Sequence, residues 1–376
     1  MSVEWSDDSK YNSFNSWKGL TYYKEYQQIV KAMDTDAPFP IPLEVSFDLS
    51  HVCNLSCSHC NAFRYLKDDV TIPMDQKYMP EHHAVRLTKF LLDWGVKAFC
   101  IGGGGESTLN PVSRKIPVIV SESVHRAKSA FITNAVALDD RFLNIMAQYC
   151  SWVGVSVDTG TRDLYSKKKG VPPEVFDKVI FHMSRLARLS EIYESGMEVT
   201  YKYLLFHDNI SEVYEACKIA KDIGVWGFHA RPAATEKIEL PEGAIAIDSE
   251  KAKDMLAKCH ELEDDNFRVF TVFHKFSNSM KTVHRFKHCL AAPLLIQICC
   301  DGKVYLCVDH RIQERFCLGS HYPDPENIRV LWGSIAHKDM MRSIIPYNDC
   351  GRCTFCAYNE QIENVVLKDK MFVNFT

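Results

Sequence analysis

The sequence predicts an α/β protein built on a parallel sheet, followed by a small α+β unit made of a β-hairpin and a helix. Three observations carry this expectation. Between residues 41 and 245, short β-rich runs alternate with helical patterns six times. A hairpin-like segment, DGKVYLC, comes only after that alternation has ended. The 15 cysteines gather into two groups, one in each region, with only a few scattered singly.

Taken in order, residues 1–40 read as a polar helical lead-in. Strands are predicted at 44–49, 98–101, 129–133, 152–157, 198–205 and 226–231. The helical patterns between them fall at 84–94, 112–126, 139–149, 174–190 and 211–223. Six such units over 41–245 build either an open, partial barrel or a doubly wound sheet, and spacing alone does not separate the two. Residues 246–284 follow as a helical linker with a helix over 248–264, and 285–376 form the cysteine-rich unit.

Composition narrows the class. The chain has 376 residues, 46% hydrophobic and 24% charged, as an ordinary globular protein does. A net charge of −4 with no basic half gives no electrostatic support for an obligate nucleic-acid partner. No apolar run approaches the ~18 residues of a membrane span, and the acidic start MSVEWSDDSK is unlike a secretory signal. The expectation is a cytoplasmic protein without a membrane partner. Disulfides do not persist in the cytosol, so the cysteines are ligands, catalytic thiols or core. Cys100, Cys150, Cys217 and Cys259 stand singly in periodic segments and read as core.

Strand alternation assigns faces. Glu44/Ser46/Asp48, Ser156/Asp158, Glu198/Thr200/Lys202 and Gly227/His229/Arg231 each share one parity, with apolar residues on the other. A parallel barrel covered by helices is apolar outside, so the polar set lines the interior. Glu44, Asp48, Glu198, Lys202, His229 and Arg231 are therefore predicted to face a cofactor and a small polar substrate, some of them as structural ion pairs.

The first cysteine group, Cys53-Asn-Leu-Ser-Cys57-Ser-His-Cys60, directly follows the first strand. Three thiolates on one tight loop hold three irons of a [4Fe–4S] cube and leave the fourth open, whereas zinc wants four ligands. One strand later comes Gly102-Gly103-Gly104-Gly105-Glu106. Glycines let a backbone approach a ligand closely.

Together these motifs resemble the radical S-adenosylmethionine (SAM) superfamily over roughly residues 41–235. The resemblance implies a partial (β/α)6 barrel, with SAM held at a [4Fe–4S] cluster on Cys53, Cys57 and Cys60. It implies that His59 lies near the adenine and that Gly104, Gly105 and Glu106 hold the methionine amino group. Thr133-Asn134 resembles the family's "TNG" turn with Ala135 for the glycine, which places Asn134 at the cofactor. Ser156 and Asp158 resemble a segment that binds the ribose or carboxylate of SAM, and Lys169, before Gly170, stands where relatives have a basic residue for that carboxylate.

The C-terminal set is Cys289-x17-Cys307, containing Gly302-x4-Cys307, then Cys350-x2-Cys353-x2-Cys356. It resembles the SPASM/twitch extension of the same superfamily. The resemblance implies one auxiliary [4Fe–4S] cluster on Cys289, Cys307, Cys350 and Cys353, with Cys356 able to replace either of the last two. Cys299, Cys300 and Cys317 read as hairpin core, and a structural zinc ribbon is the alternative to the second cluster. The function implied is reductive cleavage of SAM, fed by a reductant such as flavodoxin or ferredoxin. Hydrogen abstraction from a small polar substrate follows, then dehydrogenase-like oxidation through the second cluster. The alternatives are a peptide-modifying SPASM-type enzyme, for whose leader-binding domain residues 1–40 look short, and a redox-neutral isomerase or epimerase.

Overall fold

Six parallel strands form where the alternation places them, to within a residue at most ends. They are β1 (Glu44–Asp48), β2 (Ala98–Gly102), β3 (Lys128–Thr133), β4 (Trp152–Ser156), β5 (Glu198–Leu205) and β6 (Gly227–Pro232). The computed structural model describes residues 16–60, 77–233, 246–272 and 276–367. The first 15 residues of the lead-in, and 234–245 at the end of the predicted barrel, lie outside the described residues.

Helices cross between consecutive strands, as a parallel sheet requires. They are α2 (Glu81–Trp94), α3 (Lys115–Ser121), α4 (Asp140–Tyr149), α5 (Arg162–Lys169) with α6 (Glu174–Ile192), and α7 (Val213–Asp222). The lead-in contributes α1 (Tyr23–Asp34), and α8 (Ser249–His260) lies in the predicted linker. α5 was not expected. It starts on Thr161, whose hydroxyl accepts the Leu164 N–H, and ends on Gly170 at φ +66°. Three consecutive lysines hid this short helix from a hydrophobic-period reading.

Four strands beyond the six complete the sheet, and two of them, Arg268–Thr271 and Leu295–Ile298, correct the sequence reading. The sheet order is β10 (Cys317–Ser320), β9 (Lys303–Tyr305), β8 (Leu295–Ile298), β1, β2, β3, β4, β5, β6 and β7 (Arg268–Thr271). β7 pairs parallel to β6 inside the region read as a helical linker. β8 pairs parallel to β1, and β9 and β10 continue from it antiparallel. The hairpin is therefore an extension of the barrel sheet. β7 and β8 pair with the open edges of β6 and β1, which moves the sheet's edges out to β7 and β10.

Register confirms which face is which. Ser46 pairs with Cys100, Trp152 with Glu198, Lys202 with His229 and Gln297 with Ser46, so these residues share the inner face. The opposite parity, with Val45, Phe47, Phe99, Phe131, Val155 and Tyr201 all fully buried, packs under the helices. That apolar outer layer is where burial stabilises the fold, at roughly 1.5–3 kcal/mol for each fully buried large side chain.

The C-terminal unit adds α9 (Asn327–Leu331), α10 (Ile335–Ser343), α11 (Pro346–Asp349) and α12 (Cys356–Gln361). The lead-in is fastened to it: the Tyr26 hydroxyl donates to Gln361 Oε1 at 3.0 Å, and Lys338 Nζ donates to the carbonyls of Thr35 and Ala37. Among the described residues, no helix is long and apolar enough to cross a membrane.

Candidate active site

The loop after β1 carries Cys53, Cys57 and Cys60, and its shape is set by two neighbours. On one side, the end of α5 accepts its amides: Ser56 N–H donates to Lys169 O at 2.9 Å and Ser58 N–H to Lys168 O at 3.0 Å. A side chain at Gly170 would press on Ser56, which explains the glycine. On the other side the glycine run lies against the loop, with Gly105 N–H donating to Ser50 O and Glu106 N–H to Val52 O. A Cβ on Gly105 would sit 2.4 Å from Val52 O, so only glycine allows this approach.

The three thiols are partly exposed and form no disulfide. Burial pushes Cys53 up to about 11, with Glu106, Cys57 and Cys60 adding to the effect. As thiolates they would repel one another on this loop, which suits a ligand that neutralises their charge, as bound iron does. Their spacing suits a cube better than one ion. Zn–S bonds of about 2.3 Å bring tetrahedral sulfurs within ~4 Å of each other. Among the described residues only Asp48, His51 and Cys299 bring three ligand atoms within 4.8 Å of one another. That trio reads as a hydrogen-bonded wall, because Asp48 already accepts from Gly104 N–H and Arg311, each at 3.1 Å.

The residues expected around SAM meet here, in different roles. Glu106 is buried and its carboxylate is held by protein donors. Oε1 accepts from Thr108 N–H, Thr108 Oγ1 and Thr133 Oγ1, and Oε2 from Asn134 N–H at 2.7 Å. It ties β2 to β3 and leaves the backbone of Gly104 and Gly105 as the surface nearest the loop. Asn134 Nδ2 donates to Asn54 Oδ1 and points at Cys53 Sγ at 3.8 Å. Ala135 sits at φ +59°, the left-handed geometry for which the family's glycine is suited.

Asp158 and Lys169 form a buried pair, Nζ to Oδ2 at 2.5 Å. His59 Nε2 lies 3.2 Å from the same oxygen, and Leu204 N–H donates to Oδ1. Lys169 and the His59 hydrogen bond hold the Asp158 carboxyl far below its usual range despite burial. Asp158 raises Lys169 against the opposing effect of burial. Burial lowers His59, which leaves the ring neutral. Because Nε2 must donate to the carboxylate, Nδ1 is an acceptor, and it is buried with no hydrogen-bond partner among the described residues. The ring packs 4.7 Å from Phe206. A neutral acceptor on a ring beside Cys60 fits the amino group of an adenine. Ser156 lies in register with Lys202 on the inner face.

The lumen contains the remaining expected residues. Glu44 and Glu198 begin their strands and are both raised by burial. His229 is buried, and Arg231 lies one layer above it on β6. Lys202 Nζ sits 4.9 Å from the Trp152 ring. Burial, then Arg231, lowers Lys202 from 10.5 to about 7. Between those values the unfolded chain binds a proton that the folded chain does not, so stability rises with pH across that window. Below pH 7 both states are charged and the cost of burial is present in full. Lys202→Met is therefore expected to melt above the wild type at pH 6, with the advantage shrinking toward pH 10. An advantage constant with pH would show that the ammonium is not the cost.

The second cysteine group is assembled by side chains that the sequence reading did not single out. Asp309, two residues after Cys307, pairs with Arg352 Nε at 2.6 Å and accepts from both Thr354 N–H and Thr354 Oγ1 at 2.9 Å. This binds the Cys307 turn to the Cys350–Cys353 loop. Asn359 Oδ1 accepts from Leu290 N–H and Ala291 N–H, and its Nδ2 donates to Cys353 Sγ at 3.7 Å. Glu363, in the turn that follows α12, accepts from Lys287 N–H and His288 N–H, so the Cys289 segment is fastened there as well. His310 Nε2 lies 3.4 Å from Cys350 Sγ. Burial pushes Cys289 up to about 12, and raises Cys307 with help from Asp309, Cys289 and Cys350. Cys356 is buried at the start of α12. Cys299, Cys300 and Cys317 lie apart, directed at Asp48 Oδ2, Lys77 O and Gly319 O respectively. A signal for these fasteners exists only in the acids and amides that flank each cysteine.

A family model described as the radical SAM superfamily matches residues 48–229. The antilisterial bacteriocin subtilosin biosynthesis protein AlbA of Bacillus subtilis (strain 168) is 25% identical over 196 residues, which are 50% of this chain and 39% of that protein. The chain thus spans about two fifths of this curated relative. Streptococcus suis SuiB bound to S-adenosylmethionine superposes with a TM-score of 0.63 at 16% identity, covering 86% of this chain and 73% of SuiB. SuiB bound to precursor peptide SuiA gives 0.63 at 16% identity, over 94% and 78%. Native anSMEcpe with bound AdoMet and the Cp18Cys peptide gives 0.58 at 16% identity, over 86% and 95%. These structures share the fold.

Proposed function

The chain belongs to the radical SAM superfamily through residues 48–229, and from that premise we propose that it is a peptide-modifying enzyme. The observation that carries the reading is that chains aligned along most of this one include two solved with a peptide, and that the curated relative serves bacteriocin biosynthesis. Dehydrogenation of a small polar substrate, the reading favoured by the sequence, lacks such support. Cys53, Cys57 and Cys60 would hold a [4Fe–4S] cluster, which would supply the electron for reductive cleavage of SAM to methionine and a 5′-deoxyadenosyl radical.

The chain's own residues do the rest. The backbone of Gly104 and Gly105 offers the methionine end of SAM a surface without side chains, and Glu106 fixes that surface against β3. His59 presents a ring face and an acceptor to the adenine. The inner face of β4–β6 positions the substrate C–H, and the helices and apolar outer layer keep water from the lumen. The test is anaerobic turnover with SAM, dithionite and peptides encoded beside the gene. Mass-shifted peptide formed together with 5′-deoxyadenosine supports the reading. Turnover on small polyols or amino sugars, with every peptide inert, overturns it.

The second cysteine group is the reading's outlet for an electron. Cys289→Ala with Cys307→Ala is expected to lose about four irons while SAM cleavage persists. The loop of Cys53–Cys60 is fastened by α5 and the glycine run, which the substitutions do not touch. With substrate, 5′-deoxyadenosine should still form but oxidised product should fall away. Full product yield from a soluble variant lacking the second cluster would rule out electron transfer to it.

A further inference from the structure

Four carboxylates at the mouth of the barrel already have a cation among the described residues: Asp48 has Arg311 at 3.1 Å, Asp158 has Lys169 at 2.5 Å, Asp309 has Arg352 at 2.6 Å and Asp208 has Lys168 at 2.6 Å, while Glu106 is held by Thr108, Thr133 and Asn134. The lumen's other acids, Glu44 and Glu198, are the first residues of β1 and β5, at the opposite end of the strands. Arg231, near the C-terminal end of β6 and in register with Leu204, makes no ion pair or hydrogen bond among the described residues.

The charges that act on Arg231 are Arg352, Asp309 and Asp158, and all three are already paired. Burial and Arg352 together lower it to about 9. Lys202, on the neighbouring strand, is lowered by burial and by Arg231. A partly buried guanidinium without an anion is costly, and an arriving carboxylate removes that cost with two parallel N–H···O bonds.

We propose that Arg231, with Lys202 beside it, forms a carboxylate-binding subsite that receives an Asp or Glu side chain of the peptide substrate. The inference rests on the peptide reading above. Two other anions compete for the same chemistry, the carboxylate of SAM and the thiolate-bound second cluster. Against the first, β6 lies five strands from β1, whose loop holds Cys53, Cys57 and Cys60. Against the second, Arg352 already stands between Cys350 and Cys353, with Asp309 as its partner.

The experiment is selection from a synthetic random-peptide library on the reconstituted, SAM-loaded full chain, compared with Arg231→Gln and Arg231→Lys. Wild type is expected to enrich Asp or Glu over Asn and Gln at one position by about tenfold, the size of a charge-assisted bond. Arg231→Gln should lose that preference and Arg231→Lys should keep most of it. Peptides enriched without regard to charge overturn the subsite and leave the peptide reading standing. No enrichment overturns both.

A parallel arm measures affinity for SAM and for decarboxylated SAM. A loss in Arg231→Gln confined to SAM would assign the guanidinium to the cofactor and overturn the proposal. So would a shifted midpoint potential of the second cluster with acid selection intact. If Arg231→Gln is insoluble, the wild-type and Arg231→Lys arms still decide.

Discussion

Cys53→Ala, Cys57→Ala and Cys60→Ala together are expected to abolish SAM cleavage and to lower iron from about eight to about four per chain. The effect is all-or-none because the three thiols share one loop and no other cysteine of the described residues is placed to replace them. Cys299 and Cys300 are directed at Asp48 Oδ2 and Lys77 O. The protein should stay folded, because the loop is held by backbone bonds to Lys168 O, Lys169 O and the glycine run, not by the thiols. The remaining irons should belong to the second group, whose segments are fastened independently by Asp309, Asn359 and Glu363. Iron and sulfide analysis with a 5′-deoxyadenosine assay reads both halves. Cleavage retained in the triple variant would remove the cluster from this loop.

Asp158→Asn should cost nearly as much activity by a different route. Lys169 is 2% exposed, and its ammonium has Asp158 at 2.5 Å. Removing the carboxylate leaves a buried cation unpaired, a loss of about 3–5 kcal/mol in comparable cases. It also removes a charged acceptor from His59, and Asp158 itself holds φ +67°, so the turn after β4 depends on its side-chain bonds. The damage reaches the cluster loop through one atom, since Lys169 O accepts the Ser56 N–H. Lower melting temperature and under-filled iron are therefore expected together. Adding Lys169→Met removes the orphaned charge and should recover much of the stability without recovering the His59 contact. If Asp158→Asn melts like wild type, the pair is not a strut.

Acid should show the same linkage. Asp158 titrates below its unfolded value, so its contribution is present in full above about pH 4 and is lost as pH falls through the folded pKa. The double variant should be the less acid-sensitive protein in that range, as measured by thermal melts below pH 4.

Much of this was legible from residues alone, because the signals are local. Short β-rich runs located all six barrel strands, and period-two alternation in four of them divided Val45, Phe47 and Val155 from Ser46, Asp48 and Ser156, since a strand alternates its faces whatever lies beside it. Three cysteines on one short loop raise the expectation of a cluster by their spacing. The glycine run one strand later announces a close approach, and Gly105 against Val52 O is that approach.

What the tertiary structure decided is who stands beside whom, and no local signal encodes that. β8 lies next to β1 although about 250 residues separate them, and β7 is four residues of the region read as a linker. Both pair with the open edges of β6 and β1, and those edges are a property of the assembled barrel and not of either segment. Likewise Arg311 reaches Asp48 across 263 positions, and Asp309 reaches Arg352 across 43. Glu106 and Asp158 were legible as polar residues at strand ends. That they brace the site, each held by several protein donors, follows only from neighbours brought by folding, because a buried carboxylate takes its role from whichever donors surround it.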